Sequence, residues 1–310
     1  MLLSISIVNH NNREMLGGCL ASLRESIRGM DCEVIVIDNA SADGSADMVR
    51  AKYPEMLLSV NDKRLGFAAN QNQGLRLAKG EFIALLNNDT IVKPGAFQNL
   101  VTFMRDNSHA GLVGPKLLNP DGSVQESCFR TPTLGVLFND AFFISSILPS
   151  NTTVGGFKKW KHDETREVPS LSGACLFARA AAISEVGLLD ERFFMYFEDH
   201  DWCLRFRRAG WKVCFTPGAE IIHFGGGSAG LLGHDRFNEF YRGMNTFYEK
   251  HYGRGSLPAV ALLNVTGAAL RIAAWGALSP FSPRFRENSH TRSPYFKRRI
   301  SWYLSSKNKS

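Results

Sequence analysis

The chain contains no CxxC and no closely spaced cysteine pair; its six cysteines are scattered at positions 19, 32, 128, 175, 203 and 214. That argues against a disulfide framework and leaves reduced thiols that act as small hydrophobes, as expected in a reducing cytosol. The start, Met-Leu-Leu-Ser-Ile-Ser-Ile-Val, lacks the basic residues and cleavage site of a secretory leader, so export is not expected. No glycine follows the first apolar run. The loop there is Asn9-His10-Asn11-Asn12 and the first glycine is Gly17, which argues against the glycine-rich phosphate loop of a dehydrogenase-like enzyme. Net charge is also missing from most of the chain. Residues 281–310 hold eight Lys/Arg against Glu287 alone, which accounts for the whole net charge of +7 and leaves residues 1–280 formally neutral. A hydrophobic content of 44% over 310 residues excludes wholesale disorder and suits one large α/β domain with an appendage.

The first 120 residues alternate strand and helix patterns. Residues 2–8, 33–38, 56–61, 81–86 and 111–118 read as strands, and 13–28 and 66–79 as helices. The turn- and cap-forming run 38–45 opens a further helix near Ser45, and Pro94 suits the first turn of another. Residues 119–122, Asn-Pro-Asp-Gly, mark a turn. This alternation predicts an α/β fold, a mostly parallel sheet flanked by helices. In such sheets ligands bind beyond the carboxyl ends of the strands. Asn9–Asn12, Asp38, Asn61 and Asn87-Asn88-Asp89 all follow strands there, so four strands deliver polar groups to one rim. Residues 133–167 are irregular in pattern.

Three segments carry chemistry. Asp89 ends an apolar strand, where a carboxylate on a stiff support suits a hard divalent cation shared with substrate phosphates, although Asn-Asn-Asp is also good turn chemistry. Glu198-Asp199-His200-Asp201 puts three carboxylates into four residues beside an aromatic wall, 193–197. Glu198 and Asp199 also suit a helix start, and Asp201 and Arg205 lie four apart, the spacing of a structural salt bridge. That leaves Asp199 as the better general base, with Phe197 and Trp202 as an apolar flank. His223 ends an apolar run before three glycines, a position open to a metal ligand or to an ordinary structural histidine. Gly225-x-Gly227-x-x-Gly230 has dinucleotide-loop spacing but lacks a βαβ unit around it.

Together these segments resemble glycosyltransferase family 2, the inverting enzymes of GT-A fold, in the branch of bacterial rhamnosyltransferases of cell-surface polysaccharide synthesis. The resembling residues are 6–11, 36–45, Asn61 with 65–74, 86–90, 172–176, 197–205 and His223 with 225–226, in the family's order across about residues 3–250. The resemblance implies that Asp199 is the catalytic base and that Asp38 holds the nucleobase. Asn9, Asn61, Asn70 and Asn88 would line the nucleoside and donor sugar. Asp89 and His223 would hold Mg²⁺ or Mn²⁺, with Asn87 standing where the family's Asp-x-Asp motif often has its first Asp. Asn87, Glu198, Asp201 and Gly173 would support them. It implies transfer of a sugar from a nucleoside-diphosphate donor, dTDP-rhamnose first, to a saccharide or lipid-linked saccharide acceptor. The alternatives are a silent membrane-anchored nucleotide-sugar-binding module and a nucleotidyltransferase on a similar sheet. No nucleic-acid partner is expected.

Residues 257–278 are apolar for about the length of a membrane span, but Asn264, Thr266 and Arg271 interrupt them. They are expected to lie in a membrane interface or against the preceding domain, followed by a basic tail attracted to an anionic surface. The expected organisation is therefore a catalytic domain over 1–250 and a membrane-associating appendage over 251–310, in a cytoplasmic protein peripheral to the inner face of the membrane.

Overall fold

The computed structural model describes residues 1–144, 156–157, 160–225 and 236–305. Apart from Gly225, the glycine-rich run at 225–232 lies outside them, as do Lys307 and Lys309 of the basic tail. The chain divides into two compact units, Met1–Thr131 with Trp160–Gly243, and Pro132–Lys159 with Met244–Ser310.

The first unit opens with β1 (Leu3–Asn9), α1 (Arg13–Ser26), β2 (Cys32–Asp38), α2 (Ser45–Lys52), β3 (Leu57–Val60), α3 (Phe67–Leu77) and β4 (Phe82–Asn87). It continues with β5 (Thr90–Val92), α4 (Ala96–Asp106), β6 (Ala110–Leu118) and β7 (Cys128–Phe129). The second unit contributes α5 (Leu134–Ala141), and the chain then returns through β8 (Arg166–Glu167), β9 (Ser170–Leu171), β10 (Cys175–Arg179), α6 (Ala180–Val186), α7 (Glu198–Arg208) and β11 (Lys212–His223). A helix α8 (Arg236–Tyr252) leads to α9 (Leu257–Leu278) and α10 (Pro283–Leu304). Pro94 stands before its helix, because Gly95 in the left-handed region (φ 77°) occupies the cap of α4.

The main sheet runs β3-β2-β1-β4-β10-β6-β11-β5, with β8 beside β11. Strands β3, β2, β1 and β4 are mutually parallel, and β6 is parallel to β11. The antiparallel β10 is inserted between β4 and β6, and β5 pairs antiparallel with β11. Both faces of the centre are covered, so β1 is buried almost throughout and its alternation is Leu/Ile against Ser. Ser4 and Ser6 are fully buried but satisfied: Ser4 Oγ donates to Glu33 (2.6 Å) and Ser6 Oγ to Gln71 (2.8 Å).

Register explains the polar rim. Asn9 is paired with Asp38, Asp38 with Val60, and Val8 with Asn87. The parallel strands therefore end together, and what each carries next arrives at one edge. The β5–β11 ladder sets His223 opposite Thr90, next to Asp89. The β10 insertion brings residues 172–174 to the same edge, where the Asn87 amide donates to the Ala174 carbonyl at 3.0 Å.

Helix α3 reaches the sheet only because Gly74 faces Ser6. A Cβ on Gly74 would lie 2.0 Å from Ser6 Oγ and 2.8 Å from its Cβ. Gly74→Ala is therefore expected to destabilise the protein by about 1–3 kcal/mol, since neither the strand nor the helix can shift independently. Chemical denaturation measures it, and a variant at least as stable as the parent would contradict this packing.

Candidate functional site

One pocket, with a cavity of about 250 Å³, opens at this rim. On one wall stands Asp89, 3% exposed, directly after β4 and Asn88. His223 Nε2 lies 3.3 Å from its Oδ1 and 3.4 Å from the Asn87 side-chain nitrogen. The other ring nitrogen, Nδ1, is 2.7 Å from Gln125 Oε1, while Gln125 Nε2 donates to the His223 carbonyl at 3.0 Å. Gln125 thus holds His223 by one ring nitrogen and by its backbone carbonyl; Oε1 can only accept, so Nδ1 carries the proton and Nε2 turns a lone pair toward Asp89.

Asp199 lines the same pocket from the first turn of α7. Its Oδ2 accepts the Gly173 backbone N–H at 2.9 Å, and its Oδ1 accepts that of His200 at 2.8 Å. The residues leading into α7 are held in an unusual conformation. Tyr196 (φ 69°) and Phe197 (φ 70°) are consecutive non-glycine residues in the left-handed region, which costs on the order of 1 kcal/mol or more each. Gly243 makes room for the turn, since a Cβ there would meet the Tyr196 carbonyl at 2.6 Å. The start of α3 braces it too, through Phe67 N–H donating to the Phe194 carbonyl at 2.7 Å.

The three carboxylates at this helix start have separate fates. Asp201 is fully buried and bonded to Arg205 at 2.8 Å, and Arg205 also donates to the carbonyls of Val186 and Leu188. It is a structural clamp between α7 and the end of α6, outside the pocket wall. Trp202, expected beside Asp199, instead points into the core and donates to the Gly187 carbonyl at 2.9 Å. Helical periodicity explains this: position 202 shares the inward face with Phe206. Glu198 lines the pocket and is 7% exposed, and its Oε2 has no hydrogen-bond partner among the described residues. Burial pushes its carboxyl from the usual 4.5 up to about 8, with the charges of Asp199 and Asp201 adding to the shift.

The remaining rim residues are joined behind the pocket wall. Asn9 Nδ2 donates to Asp38 Oδ1 (3.2 Å), Asn88 Nδ2 donates to Asn9 Oδ1 (2.7 Å), and Asp38 Oδ2 accepts the Ser41 N–H (2.9 Å). Asn61 Nδ2 donates to Asn70 Oδ1 at 2.7 Å, and the Asn61 N–H to the Asp38 carbonyl at 2.9 Å. Asn88 lines the pocket, whereas Asp38, Asn9, Asn61 and Asn70 hold the loops that do. His10 and Asn39 stand in the wall in front of them, linked by His10 Nδ1 to the Asn39 carbonyl at 2.7 Å. Asn39 in turn grips Leu65, with hydrogen bonds of 2.9 and 2.8 Å.

Four wall residues were given no role of their own by the sequence: His10, Asn39 and Tyr196, which lay inside segments it singled out, and Arg64, which did not. Arg64 lies over the Phe194 ring at 5.8 Å and is the cation of this wall. All four sit in loops, where periodicity is silent. The positively charged residue a few positions past β3 was the available clue.

Mg²⁺ or Mn²⁺ would find two donors here, the Asp89 carboxylate and His223 Nε2, and among the described residues no third His, Cys, Asp or Glu completes a cluster. A hard cation commonly takes one or two carboxylates plus substrate phosphates. The donor set therefore fits a metal whose other ligands come from a diphosphate.

Comparison with known proteins gives consistent matches. The model for glycosyl transferase family 2 matches residues 4–132, and that for glycosyl transferase family group 2 matches residues 82–305. The N-acetylglucosaminyl-diphospho-decaprenol L-rhamnosyltransferase of Mycobacterium tuberculosis is 30% identical over 209 residues, covering 64% of this chain and 68% of that protein. The dTDP-rhamnosyl transferase of Shigella flexneri is 25% identical over 241 residues, covering 74% of each. Among solved structures, a mannosyltransferase from Pyrobaculum calidifontis in complex with GDP-Man and Mn²⁺ superposes with TM-score 0.56 at 18% identity, over 98% of this chain and 87% of that one. S. aureus TarS 1–349 gives 0.52 at 13% identity, over 98% and 91%. The fold is of the GT-A type, a mostly parallel sheet flanked by helices and followed by C-terminal helices.

The raised carboxyl of Glu198 has a consequence for stability. Between pH 4.5 and about 8 the folded protein keeps a proton on Glu198 that the unfolded chain releases, so this residue lowers stability as pH rises through that window. Glu198→Gln is expected to flatten the decline of melting temperature from pH 5 to pH 8. An identical decline in both proteins would contradict the burial argument.

Proposed function

The chain belongs to glycosyl transferase family 2, and from that premise we propose that it is an inverting, metal-dependent hexosyltransferase. Its donor is a nucleoside-diphosphate sugar, dTDP-rhamnose first among them. Its acceptor is a saccharide or lipid-linked saccharide of cell-surface polysaccharide synthesis, and it works at the inner face of the cytoplasmic membrane. The observation that carries the reading is that Asp199 lines the same pocket as the Asp89–His223 pair. A silent binding module has no need of both carboxylates there. The two named rhamnosyltransferases support the choice of sugar.

In this reading Asp89 and His223 would hold the metal on the diphosphate side of the pocket. The bound cation supplies neutralisation of the charge that builds on the departing nucleoside diphosphate. Asp199 accepts the acceptor's hydroxyl proton while that oxygen bonds to the anomeric carbon and the bond from that carbon to the diphosphate breaks. A single displacement of this kind inverts the anomeric configuration. The two peptide N–H groups on Asp199 keep its carboxylate oriented. Each carboxylate oxygen retains a lone pair for the incoming proton. Glu198, held neutral by burial near pH 7, adds no second anion to compete with it. Asp38, at the carboxyl end of β2 and behind the pocket wall, braces the loop whose Asn39 faces the nucleobase side, with Asn9, Asn61, Asn70 and Asn88 shaping the nucleoside and donor-sugar side.

Calorimetric titration with dTDP-, UDP- and GDP-sugars, with and without Mn²⁺, tests this. The tightest binding is expected for a dTDP-sugar and is expected to be strengthened by Mn²⁺. Asp89→Ala should abolish the metal enhancement, and Asp38→Ala should weaken nucleotide binding roughly tenfold by releasing the 38–41 loop that carries Asn39, the worth of a lost hydrogen bond to a charged group. Donor affinity independent of metal in the parent protein would refute the assignment of Asp89 and His223.

A further inference from the structure

In the second unit, α9 is built inside out. Its two strongly polar side chains face inward. Asn264 is 2% exposed and donates to the Val260 carbonyl at 2.9 Å. Arg271, the only charge between 257 and 278, donates to the Gly267 carbonyl (2.9 Å) and to the Ala141 and Asp140 carbonyls of α5. Its guanidinium also lies 4.5 Å from the centre of the Phe143 ring and 5.7 Å from that of Phe296. Close helix contact at Gly267, where a Cβ would meet Ala141 Cα at 2.9 Å, holds this arrangement.

The opposite face is exposed and apolar apart from the half-buried Thr266. At about 100° per residue, Leu262, Ala269, Leu270, Ala273 and Ala277 fall within an arc of about 120°. Leu262 is 65% exposed, and Phe281, at the turn into α10, is 82% exposed. A helix against water shows the reverse pattern, with its polar residues outward. Immediately after the turn, α10 carries exposed Arg284, Arg286, Arg292, Lys297 and Arg298, with Glu287 its only acid. α10 packs back along α9, with Phe296 against Trp275 at 5.3 Å between ring centres.

We propose that the α9–α10 hairpin lies in the plane of an anionic lipid bilayer. The Leu262–Ala277 stripe and Phe281 sit at the acyl boundary, and the α10 cations at the level of the head groups. By length and composition Arg254–Leu278 could cross a membrane, with a mean hydropathy of 1.6. A crossing would take the cationic α10 packed along it into hydrocarbon, which is far costlier than lying in the interface. Lipid is chosen over a second protein copy because the apolar stripe is continuous in sequence with a cationic helix. That pairing matches a surface that is apolar beneath and anionic above. This inference deepens the location given in the proposed function and rests on it only there; the transfer chemistry is independent of it.

Flotation of the full-length protein with phosphatidylglycerol/phosphatidylcholine vesicles tests the proposal, with pure phosphatidylcholine as control. The parent protein is expected to float with the anionic vesicles. The double variant Leu262→Glu, Ala273→Glu, both at exposed positions, is expected to lose binding roughly tenfold or more. Arg284→Glu with Arg292→Glu should weaken binding to anionic vesicles and leave the residual binding to phosphatidylcholine unchanged. A parent protein that stays at the bottom of the gradient would overturn the proposal, as would a Leu262/Ala273 variant that floats normally. A parent dimer that becomes monomeric in that variant would assign the face to a second copy and overturn it as well. Donor binding, followed by thermal shift in the same variants, is expected to be unchanged, so failure of the membrane surface and failure of the transferase reading are separable.

Discussion

The site depends on the hydrogen bond from the Gly173 peptide N–H to Asp199. Gly173 reaches the rim because β10 runs antiparallel between β4 and β6, and Asp199 reaches it because two left-handed residues turn the chain into α7. The strain of that turn is offset by a buried clamp, Asp201 to Arg205 to the end of α6, and by the packing of Phe197 between Phe240 and His200. Remove the peptide donor's alignment and the carboxylate loses its fixed direction, although every secondary-structure element could remain. A Cβ at this position would stand 3.4 Å from Asp199 Oδ2, an ordinary van der Waals contact, so the site uses the peptide N–H rather than the missing side chain.

On the opposite wall a different device serves the same end. Asp89 is delivered by the strand β4, and His223 by the far end of the longest strand, β11. The short β5 ties the two together. Parallel strands ending in register supply stiffness, and the antiparallel strands supply the crossing that brings distant sequence to the rim. Two carboxylates with separate supports, one beside an imidazole and one over a peptide N–H, are suited to opposite tasks on one bond. In the proposed reaction one would hold the cation that steadies a departing anion, and the other would take up a proton.

The parallel half of the sheet was legible in the sequence because β1, β2 and β4 are apolar runs with caps and turns at their ends. The GT-A fold and the family follow from motifs in that half and from 197–205. The antiparallel half was not legible, since β5, β8 and β10 are two to five residues long and defined by partners far away in the chain. The spacing of Asp201 and Arg205 did reveal their pairing. The sequence could not show that Trp202 turns to the core, nor that Asn88 in the pocket wall bonds back to Asn9 and through it to Asp38, both behind His10 and Asn39. Those facts depend on three-dimensional neighbours, as does the inward burial of Arg271, which in the sequence looks like an interruption of an apolar helix and in the structure completes it.

The most direct test of the central claim is the Asp199→Asn variant, isosteric and still able to accept the Gly173 N–H. Donor titration and sugar-transfer kinetics are measured on the same preparation. The account predicts unchanged affinity for nucleotide sugar and metal together with loss of transfer by several orders of magnitude, on the order of 10²–10⁴ for a lost general base. Transfer at the parental rate would contradict it.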